Sequence, residues 1–163
     1  MELLLNASIA EDSIQDAVPT IDNIVSGGLT NGSDKLYIVA GFRNPDGTGG
    51  ILTTFAYGDR RGWKYPIDDI ALGKFDISAA TGLPSRLVQT QEPERLRDGD
   101  VKYGGSWVLG SIVVAASGFP SYWDEQICAI ICHIMRGRVH VLRERLEKAA
   151  GEDVYLVRSR LAA

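Results

Sequence analysis

Asp124 and Glu125 stand side by side just after the turn Gly118-Phe119-Pro120. Carboxyl groups beside a glycine turn are placed for general acid or base chemistry. The same two residues also suit a helix opening, Asp124 as a cap and Glu125 as a charge favouring the dipole. Lys74 is suited either to neutralising an anionic ligand or to a solvated helix face. Asp59-Arg60-Arg61-Gly62-Trp63 is the most unusual polar loop. An arginine there, Arg61 above all, has the fork that clamps a carboxylate bidentately, unless water simply solvates it. Tyr103, Trp107, Tyr122 and Trp123 bracket the glycine-rich stretch that contains Ser117 and Gly118. Such aromatics, with Trp63, line a flat-ligand pocket or bury a subunit interface.

Metal chemistry has fewer candidates. Cys128, Cys132, His133 and His140 fall on one predicted helix. Cys128 and Cys132 share a face, but His133 is turned from Cys128 by roughly 140° at helical pitch. A structural zinc site wants four convergent ligands, so the thiols read as small packed hydrophobes and no metal is expected. A disulfide framework is not expected either. No nucleotide-binding glycine fingerprint, phosphate loop, nucleophile elbow or zinc-protease motif occurs. Gly47, Gly49 and Gly50 follow a turn between two strands rather than opening a helix.

The elements that position these residues follow from periodicity. Gly110 to Gln126 organises the chain: an apolar run, Ile112 to Ala116, reads as a strand covered on both faces. Gly118 and Pro120 break it. Ser121 stands three residues before Asp124, the spacing of a capping box, so a helix N-terminus with free N–H groups should face the turn. Earlier, Ser8 with Glu11 predicts a first helix, divided or kinked by Pro19 and ended by Gly27-Gly28. Leu36 to Phe42 and Ile51 to Tyr57 predict a hairpin around Asn44-Pro45-Asp46-Gly47. Pro66 to Ala80 is helical, with Ile67, Ile70, Ala71, Phe75 and Ala79 on one face and Gly82 and Pro84 as its stop. Residues 89–100 read as an exposed connection, and Gly104-Gly105 precedes a strand from Ser106 to Ala116. The last helix should run from Ser121 to about Ala149, with an interruption near Gly137 and a basic side from Arg136 to Lys148. Val154 to Val157 suggests a short terminal strand.

The order helix, hairpin, helix, strand pair, helix gives an α+β domain, an antiparallel sheet flanked by helices. At 163 residues one domain is the simplest reading. Net charge of -4 offers no electrostatic footprint for nucleic acid or an anionic membrane. Met1 to Leu5 lacks a basic region and soon meets Glu11 and Asp12, so neither signal peptide nor membrane span is expected there. A cytoplasmic protein is expected.

Two stretches resemble the small haem-degrading, haem-binding domain family. It includes glycolate-locus accessory proteins, secreted haem-sensing proteins and a domain fused to some corrinoid adenosyltransferases. The first stretch is Asp69-Ile70-Ala71-Leu72-Gly73-Lys74 with Thr81-Gly82-Leu83-Pro84-Ser85-Arg86. It resembles a helix of small residues carrying a lysine, followed by a turn. The second is Gly99 to Gln126, with Leu109-Gly110-Ser111-Ile112-Val113-Val114, Ser117-Gly118 and Asp124-Glu125. The resemblance implies a profilin-like fold, assembly into tetramers or octamers, a pocket near the glycine-rich turn, and haem as a ligand. The chain departs from the pattern in having no histidine over residues 8–26, in Phe75 after Lys74, and in a helical extension over residues 136–163.

Three readings of function stand open. One is an oligomeric binding protein for a flat or anionic small molecule, haem by resemblance. Another is a cofactor-independent enzyme in which Asp124 or Glu125 moves a proton while Arg61 or Lys74 holds a substrate carboxylate or enolate. The third is a partner subunit that docks through the basic C-terminal segment.

Overall fold

In a computed structural model the structure describes residues 4–151. The predicted strand Val154 to Val157 lies outside the described residues. Helix α1 spans Ala7–Ser26, strands β1 and β2 span Leu36–Arg43 and Gly49–Tyr57, and helix α2 spans Ile67–Thr81. A short helix α3, Ser85–Gln91, and a 3-10 turn, Pro93–Arg95, lead to strands β3, Ser106–Leu109, and β4, Ile112–Ser117. Helix α4, Ser121–Ala150, follows.

The sheet is antiparallel throughout, in the order β2-β1-β4-β3. Side-chain alternation on its two central strands sorts the core into two layers. Leu36, Ile38 and Ala40 of β1 with Ile112, Val114 and Ala116 of β4 face α1 and the first half of α4. Tyr37 and Val39 with Val113 and Ala115 face α2 through Ile67, Ala71, Phe75 and Ala79. Every residue of β4 is buried, as its uninterrupted apolar run requires. The fold is thus α+β, one compact domain with its sheet between helical layers.

Several local expectations change. The N-cap of α1 is Asn6, whose side chain accepts the Ile9 N–H, not Ser8. Pro19 does not divide α1. It sits on the exposed side, as does Gln15 four residues back, whose carbonyl loses its helical donor on the solvent side. Ser106 to Ala116 is two strands, folded at Gly110-Ser111. The connection over residues 89–100 contains the end of α3 and the 3-10 turn. Gly137 does not interrupt α4. On either side of it the basic side is partly tied down: Arg136 donates to the Leu109 carbonyl at 3.0 Å and Arg138 pairs with Asp16 at 2.5 Å. No helix among the described residues is long and apolar enough to cross a membrane.

Candidate functional site

Lys74 belongs to α2, on one face of the sheet, and Asp124 to α4, on the other. They meet at the end of β4, where the sheet stops separating the layers. Lys74 Nζ donates to the Ala116 carbonyl at 2.8 Å and to Asp124 Oδ2 at 3.3 Å. Both residues are 1% exposed. Asp124 Oδ1 accepts the Phe119 N–H at 3.1 Å. The carboxylate therefore does not act in a capping box with Ser121. Pro120 is the N-cap residue, without a side-chain bond, and Asp124 instead fastens the preceding turn.

Two glycines make this meeting possible. Gly118 has φ +139°, and a β-carbon there would lie 2.1 Å from the Lys35 carbonyl oxygen. Gly105 has φ +127°, and a β-carbon there would stand 2.7 Å from Lys74 Nζ and 2.8 Å from the β-carbon of Asp124. Neither conformation nor space admits a larger residue.

A pocket of about 420 Å³ opens over the pair. It brings together Lys74, Tyr103, Ser117, Gly118 and Asp124 from the sequence expectation. It adds the hydroxyls of Thr30 and Ser33, which donate to the Ser33 and Gly118 carbonyls, with Tyr65, and Ile67, Ile70 and Phe119 as apolar wall. Trp63 lies outside it, in an adjoining cleft of about 480 Å³ that shares Ser33, Tyr65, Ile67 and Gly118. Its ring packs edge-on against Tyr37, with Arg60 over it. The side chain of Arg61 is 92% exposed and forks onto Asp59. Tyr122 is 67% exposed and packs edge-on against Trp123. Glu125 is buried but turned to another partner, accepting both Nε and Nη2 of Arg86 at 3.0 and 3.1 Å. That fork pairs α3 with α4, and Arg86 had no role in the sequence reading.

The electrostatics of the pair are set by burial. It pushes the Asp124 carboxyl up to about 7, against the pull of Lys74 and of the Phe119 and Gly118 N–H groups. Asp124 thus exchanges its proton near neutrality, as a general acid or base must. The ammonium beside it is a donor for a ligand oxygen. Cys128 and Cys132 lie behind the pair, both free and buried. Their thiols point at the Gly105 and Trp107 carbonyls, and burial raises Cys132 to about 12 and Cys128 well above the usual thiol range.

A larger groove, about 740 Å³, runs between α1 and the second half of α4. Its ionic groups include Arg138, which pairs at the surface with both Asp12 and Asp16. It contains none of the buried titratable groups, which the smaller pocket does.

Haem tests the donor set. His133 and His140 are exposed on α4 and line neither pocket nor cleft. Cys128 and Cys132 are sealed in the core. Only Tyr65 and Tyr103 among the pocket residues carry a group known to ligate haem iron. The residues present do not fit a haem held through histidine or thiolate.

No protein-family model matches the chain, and no curated protein matches it. Among solved structures the fold is similar to the Klebsiella pneumoniae protein ORFY, assigned to the DUF336 family model. Identity is 11% and TM-score 0.49, over 83% of this chain and 90% of that chain.

Proposed function

We propose that this chain is a small-molecule-binding protein whose ligand carries an oxygen-bearing polar end on a flat or apolar body. One observation carries the reading: a lysine and an aspartate, both 1% exposed, form the floor of a pocket that is otherwise hydroxyl-rimmed and apolar. Burying two charges costs several kcal/mol per ion in round terms, about as much as their attraction returns, so stability alone is a poor reason to keep them. A ligand oxygen received by Lys74, with the body against Ile67, Ile70 and Phe119, gives them a use.

The test is a thermal-shift and calorimetric panel of small carboxylates, 2-oxo acids, phenols and haemin on the full chain. A saturable shift by one class, absent in Lys74→Met with an unchanged circular-dichroism spectrum, supports the reading. Equal responses of wild type and variant to every compound overturn it. A haemin response with a Soret band that survives Lys74→Met would instead restore haem as the ligand, at a place other than this floor.

A second reading, a cofactor-independent enzyme, is favoured by the Asp124 carboxyl at about 7. There Asp124 moves a proton while Lys74 holds the developing oxyanion. Turnover of a bound compound that disappears in Asp124→Asn supports it. Tetrameric or octameric assembly belongs with either reading. Tyr122, Val141 and Leu146 supply exposed apolar surface for it, and light scattering reads the subunit number. A cytoplasmic setting, in which Cys128 and Cys132 stay reduced, goes with it.

A further inference from the structure

We propose that Lys74 takes aldehydes or 2-oxo acids covalently, as an imine on the floor of the pocket. The inference rests on the pocket being the ligand site and adds the chemical class of the ligand. Its geometry has three parts. Nζ stands at the pocket floor and, among the described residues, makes two hydrogen bonds, one fewer than an ammonium has N–H groups. The bond to Asp124 is 3.3 Å, longer than the roughly 2.7–2.9 Å of a tight charge-assisted pair, so the amine is held near the carboxylate without being locked to it. The pocket over Nζ, about 420 Å³, has room for a small carbonyl compound against Ile67, Ile70 and Phe119.

The neighbouring groups then supply each proton movement. Asp124 Oδ2 accepts a proton from the ammonium. The amine attacks the carbonyl carbon, forming the N–C bond of a carbinolamine. One proton passes from the attacking nitrogen to the former carbonyl oxygen, giving the neutral carbinolamine. Asp124 then returns its proton to that hydroxyl, the C–O bond breaks as the nitrogen lone pair forms C=N, and one water leaves a protonated imine. Nothing is oxidised or reduced. Oδ1, fixed by the Phe119 N–H, keeps the carboxyl oriented through these transfers. A carboxyl that gains and loses its proton near neutrality suits both directions. Ile67, Ile70 and Phe119 give the pocket an apolar wall for the body of the carbonyl compound. Buried lysines are the ones that form Schiff bases, whereas solvated ones remain point charges.

The experiment treats the full chain with pyruvate, or separately with benzaldehyde, then with sodium borohydride, and maps the reduced adduct by peptide mass spectrometry. One equivalent should sit on Lys74, ahead of Lys35, Lys64, Lys102 and Lys148. In Asp124→Asn the labelling rate at Lys74 should fall by about a hundredfold, the scale of one acid–base group, while labelling of the other lysines is unchanged. Labelling spread evenly over the exposed lysines, or at Lys74 only in urea, overturns the inference. The two levels separate through lactate and benzoate, which cannot form imines. If either raises the melting temperature of wild type and not of Lys74→Met, while trapping fails, the covalent step falls and the pocket stands. If neither binds and trapping fails, both fall.

Discussion

The pH dependence of stability is the most direct probe of the buried pair. In the folded chain the Asp124 carboxyl is pushed from 3.8 to about 7 by burial. A raised carboxyl pKa means that the folded state holds a proton that the unfolded state has already released. Between those two values folding stability therefore falls as pH rises, and the loss is complete above pH 7. At about 1.4 kcal/mol per pH unit the interval sets an upper figure of about 4 kcal/mol. The opposing pull of Lys74 at 3.3 Å is already contained in the raised value, so the experiment should find about 3–4 kcal/mol. The assay is urea unfolding of wild type and Asp124→Asn at half-unit steps from pH 4 to pH 8. The amide is neutral throughout and its oxygen still accepts the Phe119 N–H, so subtracting the two curves isolates this carboxyl. Wild type should lose ground to the variant steadily from pH 4 to pH 7 and then run parallel. A flat difference would refute the reasoning. A difference that rises with pH would mean that Lys74 wins over burial and the pair is a plain stabilising salt bridge.

Gly105→Ala combines a strained φ of +127° with contacts of 2.7 to 3.0 Å on Lys74, Asp124 and the Ala116 carbonyl. It should cost about 3 kcal/mol or more in urea unfolding, and a loss under about 1 kcal/mol would show that the floor is loose. Arg86→Ala leaves the Glu125 carboxylate buried without its fork. Because Arg86 itself is half exposed, the expected loss is about 1–3 kcal/mol by the same assay. Cys128 and Cys132, buried and with raised pKa values, should react with a thiol-specific disulfide reagent at pH 8 only on unfolding. Rapid native reaction would mean that the core behind the pair opens.

Much of this architecture was legible because its signals are local. The Ile112 to Ala116 run, the Asn44-Pro45-Asp46-Gly47 turn and the Gly82 stop each act within a few residues, and each falls where expected. The misses have local causes too. Gly110-Ser111 is a two-residue turn hidden inside an apolar stretch, and the cap of α1 moved to Asn6 because Ile9 and Ala10 already belong to the buried stripe. α3 is seven residues long and polar, too short for periodicity to show. The residues of the candidate pocket were half visible. Lys74 lies on the apolar stripe of α2, three residues after Ala71 and one before Phe75, and a lysine at such a position is a signal in its own right. Its partner was not legible from it. Fifty residues and a sheet separate Lys74 from Asp124, and only the end of β4 brings their helices together. Arg61, Trp63 and Tyr122 carried equally good chemistry in sequence, and the fold turns them elsewhere.

The same geometry says what the pair is for, by what its removal should do. Lys74→Met keeps most of the side-chain length but gives up the Nζ bond to the Ala116 carbonyl, and Asp124→Asn keeps the acceptor for the Phe119 N–H, so the double variant removes two charges and one hydrogen bond besides their own. Replacing a buried pair in this way is often neutral or stabilising, by about 1–4 kcal/mol. At pH 8, where the carboxylate bears its full burial cost, the double variant should match or exceed wild type in urea unfolding. It should also bind no member of the ligand panel and form no imine. A loss above about 3 kcal/mol would make the pair a structural rivet between helical layers, and the pocket above it would lose its claim to be a site. Stability retained together with lost binding would mean that the chain carries a costly pair of buried charges for the molecule they meet.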